Sequence, residues 1–140
     1  MCHGHAGTIV VAKVAGTDEI IGGYNPLPWD KSSRKRYMKT NDSFIFSLKN
    51  GNFNSILSRV KDSKYALYYR DSNVQNIYGP EFGDCCFTME SVVSNFTQDK
   101  LCWCDTFSTY YEKPIRKTNK RFSIVDYEVF KIIKKQIPIR

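Results

Sequence analysis

The chain has 140 residues, the usual size of one domain with one hydrophobic core. Its 21 Lys and Arg against 14 Asp and Glu give a net charge of +7, and nine Tyr, nine Phe and two Trp favour β-sheet over a helical bundle. No apolar run approaches the roughly 20 residues that span a bilayer, and the N-terminus lacks the regions of a secretory signal, so we expect an intracellular domain without a transmembrane segment.

The first predicted element is a β-hairpin. Residues 8–14 and 19–24 are rich in β-branched side chains, and the residues between them, Ala15-Gly16-Thr17-Asp18, have the chemistry of a tight connection. A loop follows at residues 24–29, because Pro26 and Pro28 cannot donate to a strand ladder.

Residues 43–48 form the next predicted strand. Phe44, Phe46 and Leu48 alternate along it, so the period of two places them on one face, and we expect that face to be the core.

Four further runs complete the predicted sheets. Residues 64–70 and 84–89 read as strands separated by a loop at Gly79-Pro80-Glu81-Phe82-Gly83, residues 101–104 as a short strand, and residues 122–130 as the last one. Helix signals are weak throughout. The sequence therefore predicts a mainly β fold, a sandwich of two antiparallel sheets with few short helices, formed by a single domain over residues 1–140.

Excess positive charge is concentrated at residues 31–39 and 113–140. Such patches attract an acidic protein, an acidic membrane face or nucleic acid equally, and a solvated surface is the alternative. Since Trp and Arg dominate binding hot spots, the candidate partner-binding residues are those of the first cluster and the Trp before it, although Trp29 could instead pack over the end of the sandwich. They are Trp29, Lys31, Arg34, Lys35 and Arg36.

No pattern indicates a catalytic, cofactor or metal site. His3 and His5 are the only imidazoles and lie at the extreme N-terminus, where a catalytic base is hard to hold in place. Together with Cys2 and the pair Cys102 and Cys104 they suggest a zinc site, but a spacing of one residue between ligands is tighter than zinc sites normally use. We therefore expect no enzyme, no cofactor and no metal.

The five cysteines form no familiar disulfide framework, and we interpret them as reduced thiols. Cys85, Cys86, Cys102 and Cys104 could sense or consume peroxide if they were exposed beside a cation. Their β-rich surroundings favour burial and packing instead.

Five short motifs resemble, in the same order, those of TLDc domains. They are Gly22-Gly23-Tyr24 followed by Trp29, residues 42–48, Tyr65-Ala66-Leu67, Gly79-Pro80-Glu81-Phe82-Gly83, and Tyr127-Glu128-Val129-Phe130. The resemblance covers nearly the whole chain and is close to members that occur beside BTB domains or on their own in fungi.

This resemblance implies a β-sandwich of two antiparallel sheets in an intracellular protein linked to oxidation resistance. It also implies binding to, and regulation of, the vacuolar proton pump, without an accepted catalytic residue set. We therefore expect a non-catalytic binding or regulatory module. A cysteine-based redox sensor or antioxidant is one alternative, and nonspecific binding of anions or nucleic acid is another.

The motif residues are expected to act structurally: Gly22, Gly23, Phe44, Phe46, Gly79, Phe82, Gly83 and Glu128. The glycines suit turns, bulges or close approach of backbones rather than a phosphate loop. Glu128 is expected to be a buried carboxylate bonded to loop amides, in preference to a partner contact, and the same expectation applies to Asp84.

One departure from the family concerns the start of the domain. Family members begin with a strand and a helix ahead of the segment that matches residues 8–14, whereas this sequence opens with Met1-Cys2-His3-Gly4-His5. We expect either a truncated chain or a shortened domain that exposes an apolar strip or edge where those elements, or a neighbouring domain or chain, would pack.

Overall fold

The fold is given by a computed structural model that describes residues 7–28, 36–49, 55–70, 78–84, 86–91, 96–97, 100–106 and 110–132. These residues form nine strands and a one-turn 3-10 helix at Ser63–Tyr65. The strands are β1 (Thr8–Val14), β2 (Ile20–Asn25), β3 (Arg36–Met38), β4 (Phe44–Leu48), β5 (Ile56–Arg59), β6 (Leu67–Tyr69), β7 (Tyr78–Phe82), β8 (Phe87–Glu90) and β9 (Ile124–Lys131). No helix in the described part of the chain is long and apolar enough to cross a membrane.

The strands make two antiparallel sheets, as the sequence predicts. A five-stranded sheet has the order β5-β4-β2-β1-β9, and a four-stranded sheet has the order β3-β6-β7-β8. The predicted hairpin is confirmed, since β1 pairs with β2 from Thr8 opposite Asn25 to Lys13 opposite Ile20. The C-terminal strand β9 closes the other side of β1, so the two ends of the described chain meet in one sheet.

The core lies between the two sheets. From the five-stranded sheet, Val10, Ala12 and Ile21 are fully buried, and from the four-stranded sheet Leu67 and Phe82 are fully buried. These residues follow the period of two along their strands, which directs one face of each sheet inward.

A hydroxyl network crosses the core beside β4. The Tyr111 hydroxyl donates to the Ala66 carbonyl oxygen at 2.7 Å and lies 2.7 Å from the Ser43 hydroxyl. Ser43 Oγ is in turn 2.8 Å from the Tyr24 carbonyl oxygen. Because Ser43 adjoins one sheet and Ala66 precedes β6 of the other, Tyr111 ties the two sheets together.

The predicted inward face of β4 is wrong. Ile45 and Ser47 are buried on the core side, whereas Phe44 and Phe46 are half-buried on the outside and Leu48 is exposed. The reason lies in the pairing with β2, where Gly22 stands opposite Phe46. A Cβ atom on Gly22 would lie 2.6 Å from the Phe46 ring, so the ring occupies the space that the glycine leaves on the outer surface.

The predicted loop at residues 79–83 is also wrong over most of its length. Tyr78–Phe82 is strand β7, paired with β6 and β8, and the turn begins only at Gly83. The pairing with β8 shifts register between Tyr78 and Glu81, and such an irregularity is where a sheet tolerates a proline.

Other predicted bounds change in detail. Strands β3 and β5 have no counterpart among the predicted elements, and the segment at residues 64–70 divides into the 3-10 helix and β6. Cys102 and Trp103 form isolated bridges to Phe122 and Thr88 instead of a regular strand. Short strands of three or four residues carry too little periodicity to be read from the sequence.

Candidate binding cleft

A cleft of about 450 Å³ opens on the outer face of the four-stranded sheet. Its lining is aromatic and charged: Arg36, Tyr37, Tyr68, Arg70, Glu81 and Asp84. Tyr37 pairs with Tyr68, and the pairing of Leu67 with Phe82 places Tyr68 beside Glu81 on the next strand. Because Leu67 and Phe82 point into the core, their chain neighbours point outward and form one row across β3, β6 and β7.

A bidentate ion pair forms one side of the cleft. Arg70 Nε donates to Glu81 Oε2 at 2.7 Å and Arg70 Nη2 donates to Oε1 at 2.9 Å. Glu81 is only 1% exposed, and burial raises the pKa of its carboxyl even though the hydrogen bonds and charge of Arg70 lower it. The Arg70 guanidinium also lies 4.8 Å from the centre of the Tyr68 ring, so the same arginine contacts both the Glu81 carboxylate and an aromatic ring of the cleft.

Four tyrosine rings pack against one another beside this pair. Tyr37 makes edge contacts with Tyr65 and Tyr68 at centroid distances of 4.9 and 4.8 Å. Tyr65 stacks on Tyr110 at 4.6 Å, and Tyr110 returns to Tyr37 at 6.2 Å. All four rings are half-buried. We call this set, Tyr37, Tyr65, Tyr68 and Tyr110, the tyrosine cluster.

The tyrosine at the centre of this cluster stays un-ionised over the ordinary pH range. Burial, followed by the negative charge of Asp84, raises the pKa of Tyr37 to about 12. A phenol in this state can donate a hydrogen bond to an acidic acceptor.

Exposed basic residues lie close in sequence to members of the tyrosine cluster. Arg36 begins β3 and is exposed, as are Lys39 after that strand and Lys64 in the 3-10 helix. Of the five predicted partner-binding residues, the structure places Arg36 on the cleft, whereas Trp29, Lys31, Arg34 and Lys35 lie outside the described residues.

The motif glycines and phenylalanines have packing contacts. A Cβ on Gly23 would lie 2.5 Å from the Phe82 ring, and one on Gly79 would lie 2.9 Å from Phe96. Gly83 has a φ of +63° and turns the chain out of β7. These contacts give the motif residues a role in sheet packing and turn formation.

Glu128 and Asp84 do not have the expected burial. Glu128 is exposed on β9 opposite Val11, and Asp84 is exposed at the rim of the cleft. The expectation of a buried carboxylate was wrong for both, because β9 is an edge strand whose outer face meets solvent and Asp84 belongs to a turn.

The cysteines that the structure describes are buried and reduced: Cys86, Cys102 and Cys104. Burial raises the pKa of Cys86 to about 11 and raises the pKa of Cys104 well above its ordinary value, although Arg116 acts in the opposite direction on Cys104. Enclosed thiols react slowly with peroxide, so the burial of all three, together with the raised pKa of Cys86 and Cys104, favours packing over redox sensing. Cys2 and Cys85 lie outside the described residues.

The considered zinc ligands are not brought together in the described part of the chain. Cys2, His3 and His5 fall outside it, and the described residues contain no group of three metal-ligating side chains.

Two buried carboxylates were not identified as sites from the sequence. One is Glu81, and the other is Glu19, which accepts from Arg116 Nε at 2.9 Å and from Ser47 Oγ at 2.7 Å. Arg116 in turn lies 4.5 Å from the Phe122 ring centre. An acidic residue next to an apolar residue of a predicted strand is the only sequence feature that could have indicated such a buried carboxylate. The arginine that pairs with Glu19 could not have been identified in this way, because it is 97 positions away in the chain.

The two antiparallel sheets define a β-sandwich domain, and one of its outer faces carries a cleft lined by aromatic and charged side chains. The family model of the TLDc domain matches residues 1–133. The chain therefore belongs to the TLDc domain family. No curated protein and no solved structure matches it significantly.

Proposed function

We propose that this chain is a non-catalytic, intracellular binding module that docks onto an acidic protein surface through the cleft and the basic residues beside it. The observation that carries the proposal is the tyrosine cluster, with Tyr37 in its centre and Arg36 next to it on β3. Tyrosine and arginine contribute most to binding hot spots. Rings that already pack against one another lose little conformational freedom when a partner arrives.

The chemistry of the site supports binding over catalysis. The Glu81 carboxylate has both oxygens engaged by Arg70, which leaves it poorly placed to accept a proton from a substrate. The buried thiols of Cys86 and Cys104 are held protonated, so they are weak nucleophiles.

Membership of the TLDc family supports a role connected with oxidation resistance. We propose subunits of the vacuolar proton pump as the partner, since the resemblance described above implies that association and the net charge of +7 favours an acidic surface. Binding alone can change assembly of such a partner if the domain prefers one of its states.

The test is binding of the purified chain to purified pump subunits at low and at physiological ionic strength. We expect Arg36→Glu to weaken binding about tenfold and to reduce its dependence on salt. Lys100→Glu is the matched control, because Lys100 is an exposed cation outside both basic clusters and should leave binding nearly unchanged.

Two results would count against this function. Absence of binding at low ionic strength would remove the pump as a partner, and equal losses for Arg36→Glu and Lys100→Glu would remove the cleft as the contact surface. If the chain converted a substrate and a single substitution in the cleft abolished that activity, the domain would be an enzyme.

A further inference from the structure

The outer face of the five-stranded sheet carries a continuous apolar surface. The strand registers align its outward residues in three rows that cross the sheet from β9 towards β5. The apolar members are Phe130, Ile9, Tyr24 and Phe44 in the first row, Val11, Phe46 and Leu57 in the second, and Ile20 and Leu48 in the third.

This surface is open to solvent at several of its largest side chains. Leu48 and Phe130 are each 47% exposed and Leu57 is 46% exposed, and the other apolar members are half-buried. Single exposed apolar residues need no explanation, but a contiguous patch on a sheet face is typical of an interaction surface.

Charges of opposite sign flank the patch. Glu128 points outward from β9 at one edge, and Arg59 points outward from β5 at the other. Both residues are exposed, and neither has a salt-bridge partner within the described ranges. Asp126, also on β9, stands opposite Lys13 and can be neutralised within the sheet.

We propose that this outer face packs against the same face of a second copy of the chain, about a twofold axis parallel to the strands. That axis places β9 of one copy over β5 of the other, so that Glu128 lies diagonally across from Arg59 of the second copy, twice in the dimer. A twofold axis perpendicular to the strands would instead bring β9 onto β9 and oppose two glutamates. Charge complementarity therefore selects the first arrangement.

The apolar surface fits this axis as well. Strand β2 would lie over its own copy, where the Phe46 ring covers Gly22, and Phe46 on one side of β2 would face Val11 on the other side. A large side chain thus opposes a smaller one across the interface, which suits interdigitation of two sheets about 10 Å apart.

The size of the face limits the strength of the contact. Five strands about 4.8 Å apart and three rows about 7 Å apart give a face of about 500 Å² per copy, including its charged positions. A dimer would then bury about 1,000 Å² in total, at the lower end for specific association. We therefore expect a reversible dimer whose population depends on concentration.

The experiment is sedimentation equilibrium of the full chain over a wide concentration range. We expect a monomer–dimer equilibrium that Leu57→Lys abolishes and that Glu128→Arg or Arg59→Glu each weaken about tenfold. The double variant Glu128→Arg/Arg59→Glu should restore the wild-type constant, because it exchanges the two charges across the interface.

Lys64→Glu is the matched control, since it reverses an exposed charge beside the other sheet and should leave the constant unchanged. Far-ultraviolet circular dichroism and thermal melting verify that each variant is folded. A chain that stays monomeric at every concentration overturns the proposal, as does a double variant no better than the single ones. Binding of an amphipathic helical peptide to a strictly monomeric chain at this face would likewise overturn it.

Discussion

Arg70 holds both carboxylate oxygens of Glu81 on the outer face of the four-stranded sheet, at 2.7 and 2.9 Å. One partner is buried and the other is three-quarters buried, so the pair gives the cleft a fixed wall. It also makes the stability of the sheet depend on keeping both charges together.

Replacing Arg70 alone should destabilise the domain strongly. Arg70→Leu leaves the Glu81 carboxylate buried without its partner, and we expect a loss of about 3–5 kcal/mol in the free energy of unfolding. Arg70→Leu/Glu81→Leu should lose less, because no charge remains buried. Urea denaturation measures both, and a double variant less stable than the single one would contradict this account.

The pH dependence of Arg70→Leu should have a definite sign. Without Arg70, burial and the negative charges of Asp84 and Glu90 raise the pKa of Glu81 further above the ordinary 4.5, so the folded state binds the proton more tightly than the unfolded state. The loss of stability should therefore be greatest at neutral pH and shrink as the pH falls towards 4.5. Urea titrations of wild type and variant across this range provide the measurement, and a constant difference would exclude the mechanism.

Gly22→Ala should destabilise the five-stranded sheet. The added Cβ would lie 2.1 Å from the Val10 carbonyl oxygen and 2.6 Å from the Phe46 ring, and the backbone contact cannot relax by side-chain rotation. We expect a loss of about 3 kcal/mol or more. Gly16→Ala is the control, since no atom lies within 4 Å of its Cβ and only the φ of +73° opposes it, which costs about 1 kcal/mol. Equal thermal shifts for the two variants would refute the packing argument.

The thiols of Cys86, Cys102 and Cys104 should be unreactive while the domain is folded. All three are buried, and burial raises the pKa of Cys86 to about 11. We expect alkylation at mildly alkaline pH to modify them no faster than global unfolding permits, as measured by peptide mass mapping after timed labelling. Rapid alkylation of the Cys104 thiol in the native chain would instead support the alternative that the domain is a cysteine-based redox sensor.

Tyr37 should ionise near pH 12, well above the ordinary value of 10. Since the folded state favours the neutral phenol, its contribution to stability is fully present below pH 10 and is lost as the pH rises towards 12. The phenolate absorbance of wild type and Tyr37→Phe, compared across this range, isolates the group. A difference that titrates at pH 10 would show that the ring is solvated.

Local patterns in the sequence predict much of this domain. The β-branched runs at residues 8–14 and 19–24 predict the central hairpin, and both sheets are antiparallel as expected. The motif order predicts the TLDc family, which the family match confirms. Strands β3 and β5 were missed because three or four residues do not establish a period.

Local sequence patterns could not predict the candidate cleft. Arg36 was predicted as a binding residue from charge and its neighbourhood, but its proximity to Tyr68 and Glu81 depends on β3 pairing with β6 and β6 pairing with β7. Tyr110 joins the tyrosine cluster from a segment far along the chain. Nothing in the local sequence of these residues indicates that they meet.

Strand periodicity and motif order are local properties of the chain, so the amino-acid sequence is enough to predict the fold class and the family. Which face of each strand is buried depends on tertiary contacts: alternation divides β4 into the faces of Phe46 and Ile45, but it does not say which of them faces the core. That choice depends on Gly22, which stands opposite Phe46 and leaves room for its ring on the outside. The same pairing of distant strands brought Arg70 to Glu81 and left an apolar sheet face towards solvent, since contacts between strands are fixed by register.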